Sequence, residues 1–259
     1  MPIMKLDRGH FNVELAGSES APPLMLSNSL GTNLGMWDDQ MPELAKRFHV
    51  VRYDSRGHGK SIAEPGPYSI ADLAADALAI LDRLGLERVH WLGLSKGGMV
   101  GQWLLTHAPQ RLRKTILSNT AACMPPANNW NGRIRTVHAK GMQAITPAVL
   151  ERWFTPEFRQ REPAKVARIA AMLHATPAEG YAGCCAAIRD MDQREALHAV
   201  TAKDVLVITG ARDPSTPPAD GDLIRHSIKG AKGASLDAAH LSNIEQPQAF
   251  TRAVLEFLA

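Results

Sequence analysis

Gly93-Leu94-Ser95-Lys96-Gly97 sets a serine between two glycines. A β-rich run, Arg88-Val89-His90-Trp91-Leu92, comes directly before it, and a helix-period run over residues 99–105 comes directly after. A strand, a tight turn and a helix in that order hold a serine hydroxyl out at a helix N-terminus. Such a hydroxyl attacks a carbonyl only when a base takes its proton. The base is expected to be a histidine oriented by a carboxylate, with the acid and then the histidine following the serine along the chain. Of the ten histidines, His226 and His240 lie after residue 200. His226 falls mid-helix. His240 falls on a loop between a strand and the last helix. Catalytic groups in open parallel sheets gather at the carboxyl ends of strands, which selects His240. Asp213 follows the apolar run Val205-Leu206-Val207-Ile208-Thr209. The other strand end, Ser118-Asn119-Thr120, offers no carboxylate; Asp204 precedes its strand and Asp237 lies within one. Asp213 is therefore the expected acid.

Acyl transfer also needs N–H donors for the developing oxyanion. The residue after the nucleophile, Lys96, supplies one backbone N–H. The loop Ser27-Asn28-Ser29-Leu30-Gly31-Thr32 supplies the second, assigned to Leu30 with Gly31 allowing close approach. Asp54-Ser55-Arg56-Gly57-His58-Gly59-Lys60-Ser61 is glycine-rich but lacks the spacing of a phosphate-binding loop, so it reads as a structural turn, and His58 receives no catalytic role.

Other chemistries find little support. No Cys-x-x-Cys pair and no His-Glu-x-x-His helix is present, so no metal site and no cofactor are expected. Cys123, Cys184 and Cys185 form no spaced framework. The adjacent pair, in an Ala-rich segment, reads as small buried hydrophobes. The net charge of +3 is spread along 259 residues without a basic block, which argues against a nucleic-acid partner. No apolar run approaches the 18 or so residues of a membrane span, and the first residues show no secretory pattern, so a cytoplasmic protein is expected.

The elements that must position these groups alternate. Strands are predicted at 4–8, 12–15, 24–28, 49–53, 88–94, 114–119, 205–209 and 234–237, the first two as an antiparallel hairpin. Several are continuous apolar runs, as strands covered on both faces require. Helices are predicted at 69–84, where Ser69 caps and Gly85 ends the run, and near 37–48, 96–107, 219–227 and 247–258. The alternation stops between 124 and 191. Pro125-Pro126-Ala127-Asn128-Asn129 reads as a loop leaving the sheet, followed by a purely helical pattern. Thr146-Pro147 and Thr176-Pro177-Ala178-Glu179 read as helix starts, the second with capping-box spacing. The expectation is an α/β core over 1–123 and 192–259, with a mostly parallel eight-stranded sheet and an inserted helical lid over 124–191.

With these landmarks in place, the chain resembles the α/β-hydrolase family over almost its full length, through the 54–61 turn, the 93–97 elbow, Asp213 and His240. Within it the chain looks most like the 3-oxoadipate enol-lactonases of bacterial aromatic-compound degradation. Three segments carry that closer match: Asn28-Ser29-Leu30-Gly31-Thr32 with Met36-Trp37-Asp38; Arg152-Trp153-Phe154-Thr155; and Gly180-Tyr181-Ala182-Gly183-Cys184-Cys185 running on to Asp192. Asn28-Ser29 stands where most hydrolase relatives have His-Gly. The resemblance implies a small anionic lactone as substrate and an acyl-enzyme on Ser95. It also implies a carboxylate clamp at Arg133, three residues after Trp130. A general carboxylesterase or lactonase, or a cofactor-free haloperoxidase, would use the same triad. Lys96 departs from the uncharged residue that relatives often carry there. Its side chain is expected either to add positive potential at the site or to point to solvent.

Overall fold

The computed structural model describes residues 3–200 and 204–259. Residues 1–2 and 201–203, assigned above to the core, lie outside the described residues. The apolar runs form β3 (Val13–Ala16), β4 (Pro23–Ser27), β5 (His49–Tyr53), β6 (Val89–Leu94), β7 (Leu112–Ser118), β8 (Val205–Gly210) and β9 (Lys232–Leu236), preceded by β1 (Met4–Leu6) and β2 (Gly9–Phe11). Among the described residues the main sheet has seven strands in the order β3-β5-β4-β6-β7-β8-β9, with β3 antiparallel to β5 and the rest parallel. This corrects the expectation of eight strands. The hairpin is corrected too: β1 pairs with β2 in a separate two-stranded sheet, and the run after Asn12 joins the main sheet beside β5. Phe11 pairs with Met4 in the small sheet and Val13 with Tyr53 in the main one, so the chain crosses from one sheet to the other between them.

Helices fill the connections: α1 (Met41–Leu44), α2 (Ile70–Arg83), α3 (Lys96–His107), α4 (Ala127–Lys140), α5 (Thr146–Trp153), α6 (Pro156–Arg161), α7 (Pro163–Ala175), α8 (Ala178–Asp190), α9 (Arg194–Leu197), α10 (Pro218–Ser227), α11 (Ser242–Glu245) and α12 (Pro247–Leu258). In α2 the Ser69 hydroxyl accepts the Asp72 N–H at 3.1 Å while the Asp72 carboxylate accepts the Ser69 N–H at 3.0 Å, a reciprocal cap. Leu73, Ala77, Ile80 and Leu81 bury one stripe of that helix. The single helix predicted near 37–48 is instead a 3-10 turn, Leu34–Trp37, and the short α1. Pro42 lacks an N–H and fits only a first turn, so the helix restarts there. Helix α4 begins at Ala127, inside the stretch predicted as loop. The capping box at Thr176 does not form, because Pro177 takes the cap position. The Thr176 hydroxyl instead donates to the Met172 carbonyl at 2.9 Å and the Gly31 carbonyl at 3.3 Å.

Two features of this frame place the site. First, β4 and β6 are neighbours, and the chain leaves them toward opposite sides of the sheet. That reversal opens a crevice at their carboxyl ends. Second, the strands end nearly level: Ser27 pairs with Gly93, Leu94 with Ser118, and Gly210 with Leu236. Asn28, Ser95 and Asn119 therefore emerge at one edge. Helices α4–α8 run between β7 and α9, and an antiparallel bridge of Cys123 with Asp192 joins the two ends of that excursion.

Candidate active site

Ser95 sits between β6 and α3 at φ 55° and ψ −115°, a left-handed backbone that a non-glycine residue adopts only under constraint. Its own N–H donates to the Ser118 carbonyl at 2.9 Å, and its carbonyl accepts the Thr120 hydroxyl at 2.8 Å. These bonds tie the turn to the end of β7. The flanking glycines are steric necessities. A Cβ on Gly93 would lie 2.1 Å from the Gly97 carbonyl oxygen, and one on Gly97 would lie 2.1 Å from the Ser27 carbonyl oxygen.

Asp213 and His240 come together at the ends of β8 and β9. The His240 Nδ1–H donates to Asp213 Oδ2 at 2.7 Å, with both residues buried. Asp213 is saturated with donors. Its Oδ1 accepts the Ser215 and Thr216 N–H groups at 2.8 and 3.1 Å, and its Oδ2 also accepts from Asn119 Nδ2 at 3.1 Å and the Thr216 hydroxyl at 2.8 Å. Burial pushes this carboxyl up, but His240 beside it and these hydrogen bonds outweigh burial and hold it below the ordinary carboxylate range. With Nδ1 committed to Asp213, His240 Nε2 is left as the basic nitrogen.

The His240 loop is held from several sides. Buried Glu245 accepts the Ala239 N–H at 2.9 Å and the Thr155 hydroxyl. The Leu241 N–H donates to the Trp153 carbonyl at 3.1 Å, and the Trp153 ring lies 6.1 Å from the His240 ring. Composition and spacing gave no sign of Asn119, Thr216 or Glu245. Asn119 in particular directly follows β7, whose end offers no carboxylate, yet it binds the carboxylate that follows β8.

The expected oxyanion donors are placed as follows. The Ser29 N–H points at Met36 Sδ at 3.3 Å, the Gly31 N–H donates to His58 Nε2 at 2.7 Å, and the Thr32 N–H donates to the Ser29 carbonyl at 3.4 Å. Among the described residues, the Leu30 N–H between them has no protein acceptor. Lys96 opens α3, so its N–H has no partner within the helix. Asn28 braces the loop: its Nδ2 donates to the Tyr53 carbonyl at 2.7 Å, and its Oδ1 accepts the Trp37 indole N–H at 2.8 Å. The Lys96 side chain does not point to solvent. It is buried in the core with its ammonium on the Ser55 hydroxyl, and burial lowers its pKa.

Ser95, Leu30 and His240 line one cavity of about 770 Å³. The helical excursion contributes Trp130, Arg133, Arg152 and Tyr181 to its lining. Trp130 is buried, its indole N–H donates to the Met124 carbonyl at 2.8 Å, and the Arg133 guanidinium stacks 4.8 Å from its ring centroid. Arg152, within a segment singled out by resemblance but given no role, is a second cation on the same wall. Burial, and then the charge of Arg133, lower its pKa. Among the described residues, neither arginine has a carboxylate within ion-pair distance. Cys184 and Cys185 are buried, as their apolar reading anticipates.

A strained serine at a strand–helix turn, a buried Asp–His pair and free N–H donors at the reversal point of a parallel sheet are the parts of a hydrolase. The chain belongs to the α/β-hydrolase family: the alpha/beta hydrolase fold model matches residues 22–247. It is 42% identical to 3-oxoadipate enol-lactonase 2 of Acinetobacter baylyi over 94% of this chain and 91% of that protein. The crystal structure of an enol-lactonase from Burkholderia xenovorans superposes with a TM-score of 0.97 at 40% identity, covering 99% of each chain. That of a hydrolase from Pseudomonas aeruginosa also gives 0.97, at 46% identity, covering 100% of this chain and 98% of the other. No helix among the described residues is long and apolar enough to cross a membrane.

Proposed function

We propose that this enzyme opens a small anionic enol-lactone, 3-oxoadipate enol-lactone, to 3-oxoadipate in the bacterial breakdown of aromatic compounds. The observation that carries this reading is the shared cavity, lined by Ser95 and His240 and by two arginines that have no carboxylate partner among the described residues. A buried carboxylate needs cations or several donors, and a guanidinium fork binds both of its oxygens. Two arginines held apart from any protein carboxylate therefore suit a ligand that brings its own. The enol-lactonase relatives support the same substrate.

In this mechanism His240 Nε2 takes the Ser95 proton as the oxygen attacks the ring carbonyl, and Asp213 stabilises the imidazolium. The Leu30 and Lys96 N–H groups receive the oxyanion. Collapse breaks the ring C–O bond and releases an enolate, which takes the proton held on His240 Nε2 and becomes the ketone, leaving His240 neutral. Water, deprotonated by His240, then cleaves the acyl-enzyme to give the second carboxylate. The enolate is a better leaving group than an alkoxide, so ring opening places a modest demand on the acid. Residues 124–191 serve as a lid that carries the cationic wall over the serine.

The test is the decay of enol-lactone absorbance with purified protein beside Ser95→Ala. Rapid decay abolished by the substitution is expected. Slow decay together with fast, Ser95-dependent hydrolysis of a neutral aryl ester would overturn the substrate and leave the triad.

A further inference from the structure

His58 is fully buried and its ring does not line the cavity, yet both of its nitrogens are engaged. Nδ1 lies 3.0 Å from the Arg56 carbonyl oxygen, which can only accept, so Nδ1 carries the proton. Nε2 then presents a lone pair, and it accepts the Gly31 N–H at 2.7 Å. Gly31 directly follows Leu30. Its carbonyl is held from the opposite side by the Thr176 hydroxyl at 3.3 Å. The two peptide groups that follow the free Leu30 N–H are thus pinned, one to the core and one to the helical excursion.

The turn that carries His58 is itself clamped. A Cβ on Gly57 would lie 2.6 Å from the Gly180 Cα, so helix α8 rests backbone against backbone on the turn. Asp54 closes the turn's far side, accepting the Lys60 N–H at 3.0 Å and the Leu34 N–H at 2.7 Å. A rigid path therefore runs from α8 through Gly57 and His58 to Gly31. Burial, followed by the nearby Lys96 ammonium, lowers the His58 pKa well below its ordinary value, which preserves the accepting lone pair.

The geometry points to His58 as the positioning residue of the oxyanion loop: its Nε2 lone pair fixes the Gly31 amide and so aims the Leu30 N–H at the carbonyl oxygen that Ser95 attacks. The inference rests on the reading of Ser95 as nucleophile and Leu30 as donor, and is independent of which ester or lactone is opened. Aim matters because an oxyanion donor stabilises the transition state more than the bound substrate. Its loss of alignment therefore lowers kcat and leaves KM nearly unchanged.

Two polar replacements separate aim from simple packing. In His58→Gln the amide oxygen falls near the Nε2 position and can still accept the Gly31 N–H. In His58→Asn the side chain is one carbon shorter and reaches only as far as Nδ1. Each is measured with 4-nitrophenyl acetate, with thermal melting, and with a trifluoromethyl ketone whose adduct on Ser95 carries an oxyanion. Expected for the Asn variant is a kcat loss of about 10- to 100-fold with KM within about threefold, and an equal loss of ketone affinity. The Gln variant is expected to recover most of both. Equal losses in the two variants that follow their melting temperatures, or wild-type kcat in the Asn variant, would overturn the assignment. Where the Asn variant does not fold, the imidazole ¹⁵N signals of the wild-type enzyme decide: an unprotonated, hydrogen-bonded Nε2 supports the assignment, and a protonated Nε2 overturns it. Ester turnover that survives Ser95→Ala would instead overturn the nucleophile on which the inference rests. A dead Ser95→Ala beside unaffected His58 variants would overturn the inference alone.

Discussion

Asn119 donates its side-chain N–H to the Asp213 carboxylate at 3.1 Å from a backbone position at φ 43°. Its side-chain oxygen accepts the Ser118 and Ser242 hydroxyls at 2.8 and 2.6 Å, which fixes the orientation of the amide. A hydrogen bond to an ionised group contributes about 1.5–3 kcal/mol. Asn119→Ala is therefore expected to lower kcat by about tenfold or more, read with an aryl ester at saturation. Asn119→Asp sets a second carboxylate against Asp213 and is expected to lose more. An Asp variant more active than the Ala variant would contradict a role in orienting Asp213.

The depressed pKa of Asp213 sets the sign of a stability change with pH. The unfolded carboxyl titrates near about 3.9, and the folded one lies below its ordinary range. The stabilisation is thus fully present above the unfolded value and is lost as the pH falls through the folded value. Asp213→Asn is expected to remove this part of the acid dependence of unfolding, measured by denaturant titration between about pH 2 and 5. An unchanged acid dependence would mean that the carboxyl is not held ionised by its surroundings.

Asp76 bears on the fold more than on the chemistry. It is buried and accepts from Arg56 at 2.8 Å through two nitrogens and from Arg8 at 2.9 Å, tying α2 to the turn that carries His58. Removing one partner of such a buried pair costs about 3–5 kcal/mol, because the other charge is left uncompensated. Asp76→Ala is expected to destabilise the protein by that amount in a denaturant melt. A change within about 1 kcal/mol, the range of exposed pairs, would contradict a buried, obligatory pair.

Arg133 and Arg152 are expected to act on the bound anion. Losing one side of a desolvated charge pair costs about 2–5 kcal/mol, so either Ala variant is expected to raise KM for the anionic lactone about 30-fold or more. Turnover of a neutral aryl acetate is expected to stay within about threefold of wild type, a difference under about 1 kcal/mol. Equal losses on both substrates would show that the arginines serve packing.

Much of the site was legible because its signals are local or follow chain order. Ser95 announces itself through two glycines that backbone contacts make obligatory, and Asp213 and His240 each follow a strand end. Asn119, Thr216 and Glu245 left no such trace. Their roles exist only once β7, β8 and the His240 loop lie side by side, and nothing in Ser118-Asn119-Thr120 names a partner 94 positions away. Lys96 misled for a related reason. A lysine reads as a surface charge, whereas here the fold buries it on Ser55. The hairpin differs because the runs before and after Asn12 both carry strand character, and only the pairing of Phe11 with Met4 and of Val13 with Tyr53 distributes them between two sheets. Arg152 lies in the run 152–155 that carries the closer resemblance, but its place beside Arg133 exists only once α4 and α5 line one cavity.

The most direct measurement compares kcat/KM for two enol-lactones that share one ring, one bearing the carboxymethyl arm and the other a methyl group in its place. Wild type is expected to prefer the carboxymethyl lactone by about 100-fold or more, from about 3 kcal/mol of charge recognition at the arginine wall. Similar kcat/KM for the two would contradict an enzyme built for an anionic lactone.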